Sequence, residues 1–483
     1  LGGPLHFLMG LRQRFVETLK LDEEHAIFPE DGDCFAAMGA ALCSTDYDTI
    51  LFEDALKKLE ESVDTTTLVD TMPPLFQDVA EYGAFCARHN AKRPPQVDIK
   101  TYSGPAWLGI DAGSTTTKLA LITEDGGLLY TYYHSNLGNP VAIVLEQLQS
   151  IYTQCADRIQ IKGVAVTGYG EDLIKNAFSC DLGLVETMAH YKAAAHFEPD
   201  VDFIIDIGGQ DMKCFKIRNG AVDSIMLNEA CSSGCGSFIE TFAKALDYTI
   251  ADFAKLGLFA PHPVNLGSRC TVFMNSSVKQ AQKDGASVED ISAGLSISIV
   301  KNAIYKVIRA ASADDLGQHI VVQGGTFLND AVLRAFEQEL GRDVTRPTIA
   351  GIMGAFGAAL AARDLHLEKS SVLTAQDLEK FTHTAKPATC GLCTNHCSLT
   401  VNTFDGGRRF ISGNRCSRPL GKEPTHLPDL MRYKYQKLRA LQGKGQGDGS
   451  RGRIGIPFGL NMYENLPFWF ELFTRLNFEV VLS

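Results

Sequence analysis

The chain has no excess of basic residues: 45 Lys and Arg stand against 57 Asp and Glu, a formal net charge of −12. That balance argues against a nucleic-acid partner, which would call for a basic face. No apolar run reaches the ~18–20 residues of a membrane span, and the N-terminus shows no charged-then-apolar secretory signal. A cytoplasmic protein with no membrane partner is therefore expected. Cysteine is not scarce, but its 13 copies are an odd number and several fall in motif-like settings. In a reducing compartment such cysteines are metal ligands or free thiols rather than a disulfide framework. A length of 483 residues leaves room for roughly two to four domains.

One stretch organises the rest. Val201 to Ile207 reads as a buried strand ending on an acid, and Asp206 is followed closely by Gly208-Gly209-Gln210 and Lys213. Glycine there lets backbone N–H groups approach a ligand closely. After a turn at Asn219-Gly220, Ser224 to Cys231 is read as opening a helix with Phe238, Ile239, Phe242 and Leu246 on one face. The same pattern stands 95 residues earlier: a strand-like Trp107 to Ile110, then Asp111-Ala112-Gly113-Ser114-Thr115-Thr116, with Lys118 seven residues after the acid. Both copies continue into a second strand and a hairpin turn, Asp125-Gly126-Gly127 in the earlier copy. Such a repeat predicts two related halves around a cleft.

The chemistry expected of these turns is phosphate binding. Asp111 and Asp206 would orient Mg²⁺ and its waters, as catalytic acids. Gly113, Ser114, Thr115, Thr116, Gly208, Gly209 and Gln210 would surround the phosphates of ATP. Lys118 and Lys213 either reach the phosphates or are solvated strand-face lysines. A third glycine turn, Gly324-Gly325 after the strand-like His319 to Gln323, suits adenosine or ribose. Cys231 and Cys270 each stand near the start of a helix-like run, where unpaired N–H groups stabilise a thiolate. Two cysteines cannot hold a four-ligand iron–sulfur cluster alone, whereas a twofold dimer supplies four; buried inert thiols are the alternative.

Taken in order, residues 1–47 repeat the sequence pattern of the last quarter of the main domain and read as the remnant of an upstream copy. Residues 48–103 read as a helical linker, 104–366 as the main domain, 367–440 as a linker with a cysteine-rich module, and 453–483 as the start of a truncated α/β domain. The module carries Cys390, Cys393, Cys397 and Cys416, a C-x2-C-x3-C-x18-C set that binds metal. Zinc and a second [4Fe–4S] cluster both fit it, the cluster being favoured because it extends an electron path; His396 is a competing ligand.

The stretches Leu108 to Lys118, Thr167 to Glu171, Val201 to Lys213, Asn228 to Phe238, Ser268 to Val278, Gln323 to Asn329 and Gly354 to Leu360 together resemble one family. It is that of the ATP-dependent activators of 2-hydroxyacyl-CoA dehydratases, related to the ATPase subunits of benzoyl-CoA reductases, in its long multidomain branch. The resemblance implies an α/β fold of the actin/Hsp70/sugar-kinase-like (ASKHA) two-lobed ATPase type. It also implies a homodimer with one [4Fe–4S] cluster on Cys231 and Cys270 of each subunit. Such proteins pass one electron at very low potential to a partner iron–sulfur dehydratase or reductase, with reduced ferredoxin or flavodoxin as donor. Cys235 departs from the simpler activators and reads as an alternative ligand or, preferably, a helix-face thiol; Asn275 and Ser277 replace acids. A small-molecule kinase of the same fold, or a chaperone-like ATP-binding module with zinc cysteines, are the competing expectations.

Overall fold

The computed structural model describes residues 4–44, 49–61, 70–228, 235–268, 271–310, 313–421, 428–443 and 447–483. The chain divides into two units, each assembled from two stretches of sequence: Leu1–Arg93 with Ala194–Met353, and Pro94–Ala193 with Gly354–Ser483.

In the second of these units, β1 (Gly104–Ala112) is apolar on both faces and buried from Ala106 onward, as a central strand must be. β2 (Thr116–Ile122) and β3 (Leu128–Ser135) fold back from it as antiparallel hairpins. β4 (Ile159–Thr167) and β5 (Leu182–Gly183) add in parallel on the other side, giving the order β3-β2-β1-β4-β5. The expected helical stripe forms the helix Pro140–Cys155, which buries Val141, Val144, Leu148 and Ile151; Asn139 caps it by accepting from the Ala142 N–H. The helix Met353–Arg363 meets β1 so closely that a Cβ at Gly109 would lie 1.8 Å from the Ala355 carbonyl oxygen.

The other unit repeats the arrangement with β6 (Phe203–Ile207), β7 (Met212–Arg218), β8 (Ala221–Asn228) and β9 (Ile320–Gln323), ordered β8-β7-β6-β9. Asn219 and Gly220 both take positive φ, 54° and 73°, in the two-residue turn between β7 and β8. The helix expected from Ser224 is not there. Residues up to Asn228 pair in register with β7, and the helix starts only at Gly236, burying Phe238, Ile239 and Phe242. The long helix Val288–Lys301 is the spine of this core, with every residue from Asp290 to Val300 buried. With its continuation to Ile308 it reaches the length and apolar composition of a membrane span, which the interspersed Ser292, Ser296 and Ser298 hide in the sequence. Of its most apolar 18 residues 78% are buried, as in a core helix.

Much of the stretch read as a linker is part of this core. Leu75, Phe76 and Phe85 are buried in it. The helix Val79–Asn90 is tied to the helix Asp330–Leu340 by Arg88, whose guanidinium reaches both oxygens of Glu337 at 2.8 and 2.7 Å. His89 Nε2 lies 3.2 Å from the same carboxylate, and the Val344 N–H donates to it at 3.2 Å. Glu337 is 3% exposed. Burial alone would raise its pKa, but contacts with His89, Arg88 and the Val344 amide outweigh that and hold it below the ordinary 4.5.

Further along, β10 (His383–Thr389), β11 (Ser398–Phe404) and β12 (Arg409–Ser412) form a separate antiparallel sheet. β13 (Arg453–Ile456) and β14 (Glu479–Leu482) pair in parallel around the helix Leu460–Arg475, the strand–helix–strand order expected for the last residues. Near the start of the chain, the helices Met9–Leu19 and Phe35–Cys43 bury no residue; Phe15, Phe35, Met38 and Leu42 are exposed.

Replacing Glu337 with Ala should destabilise the chain by about 3 kcal/mol, because Arg88 loses its buried partner carboxylate and the Val344 amide its acceptor. A folded-state pKa below 4.5 means that this carboxylate stabilises fully above that pH and less as pH falls through its folded value. Thermal unfolding between pH 3 and 6 should therefore show a steeper acid limb for the wild type than for Glu337→Gln.

Candidate functional site

Each sheet carries the same turn, built by the same backbone rules. Asp111, 2% exposed, ends β1, and its register partner on the antiparallel neighbour β2 is Lys118. The seven-residue spacing is thus a tight hairpin seen in the sequence. Lys118 Nζ donates to Asp111 Oδ2 at 2.9 Å, so this lysine is an ion-pair partner rather than a solvated one. The turn is closed by Gly113 N–H donating to the Thr116 carbonyl at 2.9 Å. Asn136 braces it, donating from Nδ2 to the Gly113 carbonyl and from its N–H to the Thr115 carbonyl, both at 2.9 Å. Ser114 and Thr115 are exposed at its tip.

In the other unit Asp206, 8% exposed, ends β6 and faces Lys213 in register on β7. Gly208 N–H donates to the Asp211 carbonyl at 2.9 Å, the counterpart of the Gly113 bond. Lys213 Nζ lies 2.9 Å from Asp211 Oδ2. Gly209 and Gln210 are exposed. The first turn of the helix Gly236–Ala245 seats on this loop: Gly236 N–H donates to the Gly208 carbonyl at 3.0 Å and Ser237 N–H to the Gly209 carbonyl at 2.7 Å. Thr326 Oγ1 also donates to the Gly208 carbonyl, at 3.0 Å.

A second correspondence went unread in the sequence. On its parallel side Asp111 faces Thr167, and Asp206 faces Gln323. The next residue in each neighbour is a glycine with the same φ, 89° at Gly168 and 93° at Gly324. A Cβ at Gly168 would lie 2.7 Å from Asp111 Oδ1, and one at Gly324 2.6 Å from Asp206 Oδ1 and 2.3 Å from the Ile207 carbonyl. Only glycine fits there, for conformation and for space. Gly354 does the same from the helix above: its Cβ would meet Asp111 Oδ2 at 2.8 Å and His190 Nε2 at 3.1 Å. His190 lies 3.7 Å from Glu186. Neither residue belongs to any motif, so no sequence signal marked them; Gly168 was visible as one half of a pair of strand-ending glycines.

Each turn thus places an exposed tip, Ser114-Thr115 in one and Gly209-Gln210 in the other, beside a buried carboxylate, while the Gly113 and Gly208 amides close the turns themselves. That set fits a magnesium-bound polyphosphate: the tips for the anion, carboxylate for the ion's water shell. Glu171, one turn past Gly168, has its carboxyl raised by burial and by the neighbouring charge of Asp172. Cys214, beneath Asp206, is raised by burial and by that carboxylate, so it is an inert core thiol.

Cys231 and Cys270 lie outside the described residues. Cys235 stands at the N-cap of the helix Gly236–Ala245 and is fully buried in the core beside Phe238 and Ile239. Cys390, Cys393 and Cys397, between β10 and β11, and Cys416, beyond β12, are free thiols.

Residues 108–362 match the BadF/BadG/BcrA/BcrD ATPase family, and residues 453–483 match the CoA enzyme activase uncharacterised domain. The chain is 30% identical over 259 residues to the 2-hydroxyisocaproyl-CoA dehydratase activator of Clostridioides difficile, covering 53% of this chain and 94% of that protein. It is 31% identical over 259 residues to the (R)-2-hydroxyglutaryl-CoA dehydratase activating ATPase of Acidaminococcus fermentans, covering 53% and 96%. A solved structure of the Clostridium difficile activator with bound ADPNP aligns with 57% of this chain and 97% of that one, at 29% identity and a TM-score of 0.48. The repeated hairpin-plus-parallel-strand sheets are those of an actin/Hsp70/sugar-kinase-like α/β fold, and the chain belongs to the BadF/BadG/BcrA/BcrD ATPase family.

Proposed function

We propose that this chain is an ATP-dependent activator, coupling ATP hydrolysis to the delivery of a low-potential electron to a partner iron–sulfur enzyme of the 2-hydroxyacyl-CoA dehydratase type. The observation that carries the reading is the duplicated acid–lysine–glycine turn, found in a chain whose relatives are named dehydratase activators. In this reading Asp111 and Asp206 hold the water shell of Mg²⁺. The turns Gly113 to Thr116 and Gly208 to Gln210 surround the phosphates, with the exposed tips Ser114-Thr115 and Gly209-Gln210 nearest them, and Gly324 and Gly325 leave room for the nucleoside. Lys118 fixes the orientation of the Asp111 carboxylate through its 2.9 Å contact.

Cys231 and Cys270, with the same pair from a second copy, would hold a [4Fe–4S] cluster. Cys270 directly precedes the helix Thr271–Lys283, whose first amides favour a thiolate. The cluster would supply the electron store, loaded in the cytoplasm by reduced ferredoxin or flavodoxin. What the chain itself contributes is a nucleotide-dependent bias. The loop Gly208–Gln210 is hydrogen-bonded to the first turn of the helix Gly236–Ala245, so a ligand that moves the loop moves that helix. ATP can drive the cycle only through such a difference in affinity between states.

Protein purified without oxygen should contain iron and acid-labile sulfide, and its reduced electron-spin signal should change on adding Mg-ATP. Iron-free protein that phosphorylates a sugar would sink the proposal. Asp111→Asn and Asp206→Asn should each lower ATPase kcat by on the order of 10²-fold, the loss of one preorganised electrostatic group, while iron content stays unchanged. Gly324→Ala should abolish nucleotide binding in a calorimetric titration and lower stability by about 1–3 kcal/mol, the cost of strain at a glycine-only backbone position.

A further inference from the structure

Four thiols have no part in the nucleotide turns. Cys390, Cys393 and Cys397 lie on the loop that joins β10 to β11, and Cys390 N–H donates to the Cys397 carbonyl at 2.9 Å. These two cysteines therefore form the rung beyond the Thr389–Ser398 pair of the ladder. The third strand returns to the same end. β12 pairs antiparallel with β11 and finishes with Ser412 opposite Thr400. Gly413 follows at φ 81°, so close to β11 that a Cβ would lie 2.4 Å from the Ser398 carbonyl oxygen. Three residues on is Cys416, its carbonyl accepting from Asn414 Nδ2 at 2.8 Å. Two loops thus deliver all four cysteines to one end of one sheet.

The two ends of that sheet are held very differently. At the far end Phe404 stacks against Phe381, and Phe381 against Phe178, with ring centroids 6.1 and 4.9 Å apart. Arg408 donates there to the carbonyls of Asn176 and Ala177, both at 3.0 Å. At the cysteine end, Cys390 and Leu399 are the buried residues among those described, and β10 is exposed from Thr384 to Thr389. Among the described residues the aromatic and arginine anchors stand at the Phe404 end, and a sheet this small gains most from a metal at its other end.

We propose that Cys390, Cys393, Cys397 and Cys416 bind one zinc ion as four thiolates, and that the ion closes the free end of the β10–β12 sheet. The spacing admits zinc, and a strand-end loop is a common setting of closed, structural zinc sites, whose four sulfur ligands sit about 2.3 Å from the ion. Cys390 and Cys397, as facing residues of an antiparallel ladder with Cα atoms ~5 Å apart, bring two sulfurs within that reach. A cuboidal cluster, which the sequence had favoured, needs a larger shielded cavity, and these exposed loops do not wall one: Cys416 is exposed, Cys393 and Cys397 half-buried. Binding of the ion would draw the β10–β11 loop and the segment after β12 together, as metal binding orders its ligand loops. The proposal holds whether or not the chain is an activator.

The test uses the full chain, purified without chelator, with zinc, iron and sulfide measured on the same samples. The wild type should carry about one zinc per chain. Cys393→Ser with Cys416→Ser should lose at least ~90% of it, whereas His396→Ala and the Cys231→Ser, Cys270→Ser double variant should keep it. Zinc retained by the Cys393, Cys416 double variant overturns the proposal, as does iron with sulfide in place of zinc in the Cys231, Cys270 double variant. Should the former variant fail to fold, wild-type protein decides through alkylation of the four thiols. Chelator should speed it by roughly tenfold or more, as expected of thiolates sequestered by a metal; an unchanged rate would refute the site.

Discussion

A carboxylate at the buried end of a central strand is the constraint on which both halves of the ATPase domain depend. An ionised group so placed costs several kcal/mol unless its charge is met locally. At Asp111 it is met by Lys118, delivered by strand register from seven residues downstream. The space around the acid is then set by what the flanking backbone lacks: Gly168 and Gly324 leave gaps that any Cβ would fill. The chain therefore surrounds each acid with main chain rather than with side chains. Rigid sheets fix these positions, which suits a site that must hold a highly charged ligand in one geometry.

How much of this was legible depends on how local each signal was. The acid-to-lysine spacing is a hairpin property, so it could be read directly and then located in register at Asp111–Lys118 and Asp206–Lys213. The Asn219-Gly220 turn was read in the same way, since two consecutive positive φ values demand such a pair. The pairing of Gly168 with Gly324 was not read, because it depends on which strand lies beside which, a fact of topology that no short window contains. The helix expected from Ser224 failed for a similar reason. Met226 and Leu227 resemble a helix start, but β7 offers a ladder to Ser224–Asn228, and tertiary pairing overrides local propensity.

The cysteines show the same division. Cys155, Cys180 and Cys214 are core residues; burial pushes the Cys155 thiol up to about 11, and the other two higher still. Nothing in their spacing set them apart from a ligand except the lack of a partner cysteine nearby. Cys390, Cys393, Cys397 and Cys416 announce themselves by spacing, yet the spacing alone left open which metal they serve. The zinc proposal rests instead on the exposure of β10 at the end of the sheet where they lie.

The interleaving of the two units has a consequence for how the chain is made. The core that holds β6 also needs Arg88 and Glu337, which are 249 residues apart in sequence. On a ribosome emitting roughly 5–20 residues per second, the helix Val79–Asn90 waits on the order of ten seconds or more for its counter-ion to emerge. During that interval the sheet of β1 to β5 can already assemble, though without the helix Met353–Arg363 that covers it. Closure of such distant segments is what slows folding, and an unpaired Arg88 with a bare Phe76 and Phe85 is the kind of surface that chaperones hold. Synthesis of this ATPase is thus a two-stage event in which the core around β6 waits for Val344 and the core around β1 for Phe404, each far downstream of the strands it covers.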